Sequence, residues 1–363
     1  MKRLVIEKEK LKYNIDVIKG MTNSRIIGVL KGNGYGLGIL KFAQFLLENN
    51  IDFFAVSEIQ EAVHLRENGF KNDILLLSST CIEEEVELIV QHDIIATVGS
   101  GRAADMLNEL AAKHRKVVNA HLKIDTGFGR FGFLPSELDL VSSIIRSCSN
   151  IKIIGTFSHL SFSFAKDRKD VQIQFDRFIK CIDTLKQDGI EPGLLHIANS
   201  SAFLKYSDMH LDAVRIGSAF LGRIPINNIY NLKRIGYLRA NISEIKYLPE
   251  DHYVGYANTY KTVKKTRAAV VPIGYKDGFG VEKSKDIFRF IDVLRYLYHD
   301  LKLLLGSKYL YVKVNGKAVK LLGRISMYNI IIDVSDVDAK IGDEVVLEAN
   351  PLLIESSIPR EYI

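Results

Sequence analysis

The 363-residue chain has little cysteine and no long apolar run. Its three cysteines, Cys81, Cys148 and Cys181, are odd in number and far apart. This pattern argues against a disulfide framework and a zinc site, and it favours a reducing compartment. No apolar stretch reaches the roughly 18 residues of a membrane-spanning helix, and the first ten residues (MKRLVIEKEK) lack the apolar core of a signal peptide. We therefore predict a cytoplasmic protein with no metal and no membrane span.

The charge also excludes a class of partner. The formal net charge of +6 is spread along the chain and forms no basic stripe, so we predict no nucleic-acid surface. A modest positive charge suits a phosphorylated cofactor or a carboxylate substrate. Apolar residues make up 47% of the chain, an ordinary globular value, and the length suffices for two domains.

In the first two thirds of the chain, short apolar runs alternate with longer amphipathic stretches such as Glu58–Glu67 and Gly101–Lys113. This alternation predicts parallel strands joined by crossover helices. Eight runs qualify as strands: Ile26–Leu30, Phe53–Val56, Ile74–Leu77, Ile94–Val98, Val117–Ile124, Ile151–Phe157, Leu194–Ala198 and Ala213–Ile216. Eight units favour an α/β fold of the (β/α)₈ barrel type. A doubly wound open sheet is the alternative.

After Gly222 the pattern changes to strands joined by tight turns, one of them at Asn315-Gly316. We therefore predict a barrel domain over residues 1–222 and a mostly β domain over residues 223–363. The predicted strands of the second domain are 254–260, Ala268–Ile273, Tyr309–Val314, Ala318–Leu322 and Asn329–Val334. Apolar residues at helical spacing predict one helix there, over Asp286–Leu305.

Lys31 is the most informative single residue. It follows the apolar run Ile26–Leu30 and begins a glycine-rich turn in the segment VLKGNGYG (29–36). A lysine at the C-terminal end of a buried strand is partly desolvated, which makes its amine nucleophilic and suits Schiff-base chemistry with an aldehyde cofactor. A surface lysine at a turn is the alternative interpretation.

Other polar residues follow the later predicted strands. In a barrel, the C-terminal ends of the strands meet at one rim, where catalytic groups gather. The residues predicted at this rim are Lys123, Asp125, Arg130, His159, His196, Asn199, Ser200 and Arg215. Each of them alone has a structural explanation, such as a cap or a core histidine, but together they predict an active site.

Eight motifs in this order resemble those of the bacterial alanine racemases, which use pyridoxal 5′-phosphate (PLP). The motifs are VLKGNGYG (29–36), KIDTGFGRFG (123–132), FSH (157–159), HIANS (196–200), VRIG (214–217), VGYANTY (254–260), PIGYKDG (272–278) and GRISM (323–327). The resemblance covers nearly the whole chain. It implies a PLP-binding barrel, a β domain and a homodimer with shared active sites, which makes D-alanine for cell-wall peptidoglycan.

The resemblance also implies roles in cofactor binding. Lys31 would carry PLP as an internal aldimine and act as one of two bases. The other residues of the implied cofactor site are Tyr35, His159, Ser200, Arg215, Gly217 and Ser218. Among these, hydroxyls and backbone amides would bind the phosphate, and Arg215 would face the pyridine nitrogen without giving up its proton.

The remaining implied roles concern the substrate. Tyr256 would be the second base and would come from the partner subunit. Arg130, Met327 and Tyr275 would contact the substrate. Lys123 matches a position that is often carbamylated in the family, where the resulting anion would orient Arg130.

Three positions depart from the family pattern: Leu37, Tyr328 and the segment 355–357, where a tyrosine is usual near Ser356. Tyr328 and the insert at 280–306 are more like the serine racemases of vancomycin resistance. Serine is therefore the alternative substrate, and we expect serine racemisation beside alanine racemisation. A PLP-binding homeostasis protein and a decarboxylase of basic amino acids are weaker alternatives. The second domain argues against the first of these, and the lack of evident acidic and cysteine motifs argues against the second.

Overall fold

A computed structural model of the chain describes residues 2–282, 290–305 and 310–363. The chain forms two compact units. The first is Lys8–Ile235, and the second combines the N-terminal segment up to Glu7 with Gly236–Ile363. The division between these units falls after Ile235. The predicted domain boundary after Gly222 stays a prediction. Within the described ranges, no helix combines the length and the apolar character that a membrane span requires.

The first unit is built on an eight-stranded parallel sheet. Strand β1 (Arg3–Ile6) precedes it and pairs within the second unit. The eight strands are β2 (Arg25–Val29), β3 (Phe53–Val56), β4 (Ile74–Leu76), β5 (Ala96–Val98), β6 (Val118–Lys123), β7 (Ile151–Phe157), β8 (Leu194–His196) and β9 (Ala213–Ile216). They follow the order β4-β3-β2-β9-β8-β7-β6-β5. All eight predicted strands are confirmed, with ends that differ by a few residues.

The two edge strands of this sheet meet each other. A parallel bridge joins Leu75 to Ile95, with hydrogen bonds from Leu76 N to Ile95 O (3.0 Å) and from Ile95 N to Ile74 O (2.9 Å). The sheet therefore closes into a barrel, and the open-sheet alternative is wrong. Inward-facing apolar residues of several strands, among them Ile27, Phe53 and Leu75, fill its core.

Helices lie between the barrel strands, as the alternating pattern predicts. They are α1 (Lys8–Lys19), α2 (Lys31–Tyr35, a single turn with left-handed backbone from Gly32 on), α3 (Ile39–Glu48), α4 (Ile59–Glu67), α5 (Glu83–Gln91), α6 (Gly101–Lys113), α7 (Leu138–Ser147), α8 (Lys169–Gln187) and α9 (Ser200–Lys205). The longer ones bury an apolar stripe. In α6, for example, Ala103, Leu107 and Leu110 are buried. These crossovers place all eight strand C-termini at one rim.

The second unit is mostly β, which confirms the predicted class. Its strands are β10 (Tyr237–Asn241), β11 (Glu244–Leu248), β12 (Tyr253–Val254), β13 (Tyr260–Lys261), β14 (Thr266–Val271), β15 (Tyr311–Val314), β16 (Lys317–Leu322), β17 (Ile330–Asp333), β18 (Glu344–Glu348) and β19 (Arg360–Tyr362). One sheet has the order β11-β14-β17-β16-β15-β18-β10-β1-β19. The first strand of the chain, β1, therefore lies between β10 and the last strand, β19, in the sheet of the second unit.

Two predictions for this unit need correction or comment. The segment 254–260 is not one strand. Gly255, Ala257 and Asn258 have positive φ angles (78°, 58° and 51°), so the chain turns between β12 and β13. Helix α10 (Phe290–Leu305) matches the predicted helix, whose first residues, 286–289, lie outside the described residues.

Candidate active site

A cavity of about 430 Å³ opens at the rim formed by the C-terminal ends of the barrel strands. Its volume falls in the range of about 300–1,000 Å³ that is typical of small-molecule sites. Two of the residues predicted in the barrel unit, Asp125 and His196, do not line it. The ten that do are Lys31, Tyr35, Lys123, Arg130, His159, Asn199, Ser200, Arg215, Gly217 and Ser218. The described side chains that line it include four cations and no carboxylate, so the cavity favours an anionic ligand.

The turn after β2 has an unusual backbone. Gly32, Asn33, Gly34 and Tyr35 all have left-handed φ angles, between 53° and 64°. Left-handed backbone costs an ordinary residue about 1–2 kcal/mol, and glycine and asparagine tolerate it best, which explains the Gly-Asn-Gly sequence. The turn begins directly after Lys31, just beyond the C-terminal end of β2. It therefore fixes the positions of Lys31 and Tyr35 at the barrel rim.

Asn33 ties this turn to its surroundings. Its backbone N–H donates to Glu61 Oε1 (3.0 Å), and its side-chain oxygen accepts from the N–H of Ile39 (2.9 Å) at the start of α3. Both bonds resist unwinding of the left-handed turn. The strain at Tyr35 is thereby maintained by neighbouring structure, a pattern common at functional sites.

Lys31 lines the cavity rather than packing into the core. Its environment lowers the pKa of the Lys31 amine, first through burial of the amine in the barrel mouth and then through the positive charges of Arg130 and Arg215. A lysine with a lowered pKa spends more time as the free amine, which is the nucleophilic form. An amine in this form can attack a carbonyl group.

Tyr35, Gly217 and Ser200 form one corner of the cavity. A Cβ added to Gly217 would lie 2.4 Å from Tyr35 Oη, so only glycine allows the hydroxyl this close to the backbone. Ser200 Oγ accepts hydrogen bonds from the N–H groups of Gly217 (3.1 Å) and Ala219 (3.4 Å). Burial, together with the charge of Glu61, raises the pKa of Tyr35 to about 12, so the phenol keeps its proton and can donate.

Arg215 is fully enclosed at the base of the cavity. Its Nη1 donates to His196 Nδ1 (2.6 Å), and its Nη2 donates to Ser158 O (2.7 Å) and Ile197 O (3.0 Å). Burial lowers the pKa of Arg215 to about 9, which still leaves the guanidinium charged at neutral pH. Together with His196 O (3.1 Å) and His159 Nδ1 (3.3 Å), these acceptors hold the guanidinium in one orientation.

Arg215 also determines the protonation of two buried histidines. Because a guanidinium only donates, His196 Nδ1 must accept, so its proton sits on Nε2 and points to His121 Nδ1 at 2.8 Å. Burial, followed by the charge of Arg215, lowers the pKa of His121 to about 3 and that of His196 well below its usual value. Both rings stay neutral. Sequence reasoning missed His121, since it lies within an apolar strand and has no motif around it.

Lys123 is a buried lysine, only 5% exposed. Its Nζ lies 3.4 Å from Leu77 O and 4.7 Å from the centre of the Phe157 ring. Burial, followed by the charges of Arg215 and Arg130, lowers the pKa of Lys123 to about 7. About half of the amine is therefore unprotonated at neutral pH.

Arg130 and His159 line the cavity beside Phe128. The guanidinium carbon of Arg130 lies 4.4 Å from the centre of the Phe128 ring, a cation–π distance. His159 packs edge-on against the same ring at 5.3 Å. Burial, followed by the charges of Arg215 and Lys123, holds the pKa of His159 well below its usual value, so this ring is also neutral.

The other predicted residues lie in the second unit. Tyr256, Tyr275 and Met327 are 70%, 48% and 45% exposed. Met327 O accepts a hydrogen bond from the N–H of Lys276 (3.1 Å), the neighbour of Tyr275, so Tyr275 and Met327 belong to adjoining loops. A Cβ added to Gly255 would lie 3.3 Å from the N–H nitrogen of Arg324, which places the Tyr256 turn next to the same loop. These three side chains therefore belong to one exposed cluster of loops.

Two family models match this chain, described as "Alanine racemase, N-terminal domain" over residues 6–225 and "Alanine racemase, C-terminal domain" over residues 235–356. The chain belongs to the alanine racemase family. It is 34% identical to an alanine racemase of Clostridium tetani (strain Massachusetts / E88), over 94% of this chain and 84% of that protein. It is also 34% identical to one of Clostridium perfringens (strain ATCC 13124), over 97% and 87% of the two chains.

Solved structures of the family share this fold. The alanine racemase of Clostridium difficile 630 superposes with a TM-score of 0.87 at 26% identity, over 100% of this chain and 95% of that one. The alanine racemase of E. faecalis gives 0.82 at 26% identity, over 100% and 98%. The family match thus covers the barrel and the β domain alike. This favours a racemase over a PLP-binding homeostasis protein, the alternative in which the second domain is lacking.

Proposed function

We propose that this member of the alanine racemase family interconverts L- and D-alanine with PLP as its cofactor. The observation that carries the proposal is Lys31, an amine of lowered pKa in a cavity lined by cations. Such a cavity suits two anionic groups, a cofactor phosphate and a substrate carboxylate. The relatives and solved structures bear the name alanine racemase, which favours alanine over the serine alternative.

The residues present fit PLP. Lys31 would hold the cofactor covalently through Nζ. The corner of Tyr35, Ser200 and Gly217, where only glycine admits the Tyr35 hydroxyl, supplies two hydroxyl donors for a phosphate, since Ser200 Oγ accepts from the N–H of Gly217 and can donate its own proton. Arg215, always a donor, would face the pyridine nitrogen and leave it without a proton. When bound, PLP supplies an electron sink that acidifies the α-proton of the amino acid.

Racemisation requires a proton to leave one face of the α-carbon and another to arrive on the opposite face. Lys31 Nζ is the group we assign to one face and Tyr256 Oη the group we assign to the other. Arg130 would hold the substrate carboxylate, and the loops that carry Tyr275 and Met327 would border the substrate. We infer a homodimer in which the second unit of one subunit supplies these residues to its partner.

The reaction would provide D-alanine for peptidoglycan. We place it in the cytoplasm, since all three cysteines are free thiols.

Substrate choice is directly measurable. With purified protein and PLP, we expect conversion of L-alanine to D-alanine. Chiral chromatography of the reaction mixture measures this conversion. L-serine, assayed side by side, tests the departures at Tyr328 and Ser356. The side chain of alanine is a methyl group, and a pocket for such a group discriminates against one added hydroxyl by only about 10²-fold, so we expect serine to be slower by up to this factor. A higher kcat/KM for serine than for alanine would contradict the assignment.

Lys123 should form a carbamate. This reaction joins a neutral amine to CO₂ with release of a proton, and a pKa of about 7 makes the neutral amine abundant at physiological pH. The carbamate would replace a cation beside Arg130 with an anion. We expect a carbamate resonance after addition of ¹³C-labelled bicarbonate, lost in Lys123→Arg, whose guanidinium does not form one. Retention of the resonance in Lys123→Arg would contradict the assignment.

A further inference from the structure

The loop that carries Arg130 is organised by one carboxylate. Asp125 follows β6 and is only 7% exposed. Its Oδ1 accepts hydrogen bonds from the N–H groups of Gly127 (2.9 Å) and Phe128 (2.7 Å). Its Oδ2 accepts from those of Gly129 (2.8 Å) and Arg130 (3.1 Å). Four successive backbone donors thus converge on a single side chain.

These bonds keep the carboxylate charged. Burial by itself would raise the pKa of Asp125, but the four N–H donors outweigh it and hold the pKa below its usual value. Hydrogen bonds to an ionised acceptor are roughly twice as strong as those between neutral groups. The turn from Gly127 to Arg130 is therefore wrapped around a fixed anion.

Hydrogen bonds also join the two ends of the loop. Asp125 N donates to Phe133 O (2.8 Å), and Phe133 N donates to Lys123 O (2.9 Å). Gly132 lies between these bonds with a φ of 116°, and a Cβ there would approach Asp125 N to 2.8 Å. Only glycine permits this close approach, so both the ends and the interior of the loop are held in place.

The same turn sets the side chain of Arg130. The guanidinium lies over the ring of Phe128, whose own N–H is bound to Asp125. Phe128 in turn packs against His159 in the cavity wall. Asp125 therefore fixes both the backbone from which Arg130 starts and the aromatic face on which its guanidinium rests.

We propose that Asp125 is a positioning residue that presents Arg130 to the carboxylate of the amino-acid substrate and so selects amino acids over simple amines. It acts through Arg130 and does not touch the substrate. The inference deepens the proposed function and rests on it, since the carboxylate partner of Arg130 belongs to that proposal.

The test compares two ligands that differ by the carboxylate alone, D-alanine and ethylamine. Their dissociation constants are measured from the cofactor absorbance of PLP-loaded Asp125→Asn and wild-type protein. An asparagine side chain turns its NH₂ towards two of the four N–H donors, so half of the bonds are lost. We expect D-alanine to bind about 10- to 100-fold more weakly, the range for the loss of one hydrogen bond to a charged group, and ethylamine to bind as in wild type.

Asp139→Asn is the matched control. Asp139 is exposed near the same loop, and its substitution removes the same charge. We therefore expect both ligands to bind the Asp139→Asn protein as they bind wild type. Equal weakening of both ligands by Asp125→Asn would show a general structural role and overturn the proposal. So would unchanged binding of both.

Phe128→Leu provides a second route if Asp125→Asn does not fold. It removes the aromatic face beneath the guanidinium, and the same split between D-alanine and ethylamine is expected. Absence of the split in a folded Phe128→Leu protein would then overturn the proposal. Failure of the proposed function shows earlier and separately, as a wild-type protein that does not take PLP on Lys31.

Discussion

Lys31→Ala should abolish both cofactor attachment and racemisation. One general acid–base group typically contributes about 10²–10⁴-fold to a rate, and this substitution also removes the covalent anchor, so we expect a loss of more than about 10⁴-fold. The lowered pKa of Lys31 in its cation-lined cavity is the physical reason for this expectation. Racemisation of L-alanine and the visible absorbance of the loaded protein are the measurements.

Borohydride makes the assignment specific to one residue. Reduction of wild-type protein loaded with PLP should fix the cofactor to Lys31, and peptide mapping by mass spectrometry locates the label. Lys71→Ala, a change at an exposed lysine, is the control and should behave as wild type. A label found on Lys123, the other lysine of the cavity, would refute the assignment.

Much of the barrel could be predicted because its signal is local. Each strand is a short apolar run, and each rim residue follows one of them, so the order along the chain already implies the place in space. Lys31, Lys123 and Arg215 were found in this way, and the structure brings them together in one cavity. Their roles in catalysis remain proposals.

The features that could not be predicted from the sequence depend on contacts between residues far apart in the chain or on hydrogen bonds from backbone groups. The proton arrangement of His121 follows only from its 2.8 Å contact with His196, which is 75 residues away. The role of Asp125 depends on four backbone donors, which no side-chain pattern reports. The turn at Gly255 replaced a predicted strand because positive φ angles, rather than hydrophobic alternation, decide its shape.

Tyr256→Phe should keep the cofactor and lose racemisation. Phenylalanine preserves the ring and removes only the hydroxyl that would exchange the proton, so we expect a loss of about 10²–10⁴-fold. The deficit should be larger for the enantiomer whose α-proton Tyr256 removes, as shown by exchange of that proton with deuterated solvent. Tyr253→Phe, in the same hairpin and similarly exposed, is the matched control and should retain activity. Near-normal exchange of both enantiomers in Tyr256→Phe would remove Tyr256 from the mechanism.

Mixing two inactive variants tests whether the site is shared between subunits. In a heterodimer of Lys31→Ala and Tyr256→Phe chains, a shared arrangement gives one site with both wild-type residues and one with neither. Activity should therefore return when the two inactive proteins exchange subunits. If both residues of a site came from one chain, each site would lack one of them and no activity would return. Subunit exchange, confirmed by mass spectrometry of differently tagged chains, makes a negative result decisive against the shared site.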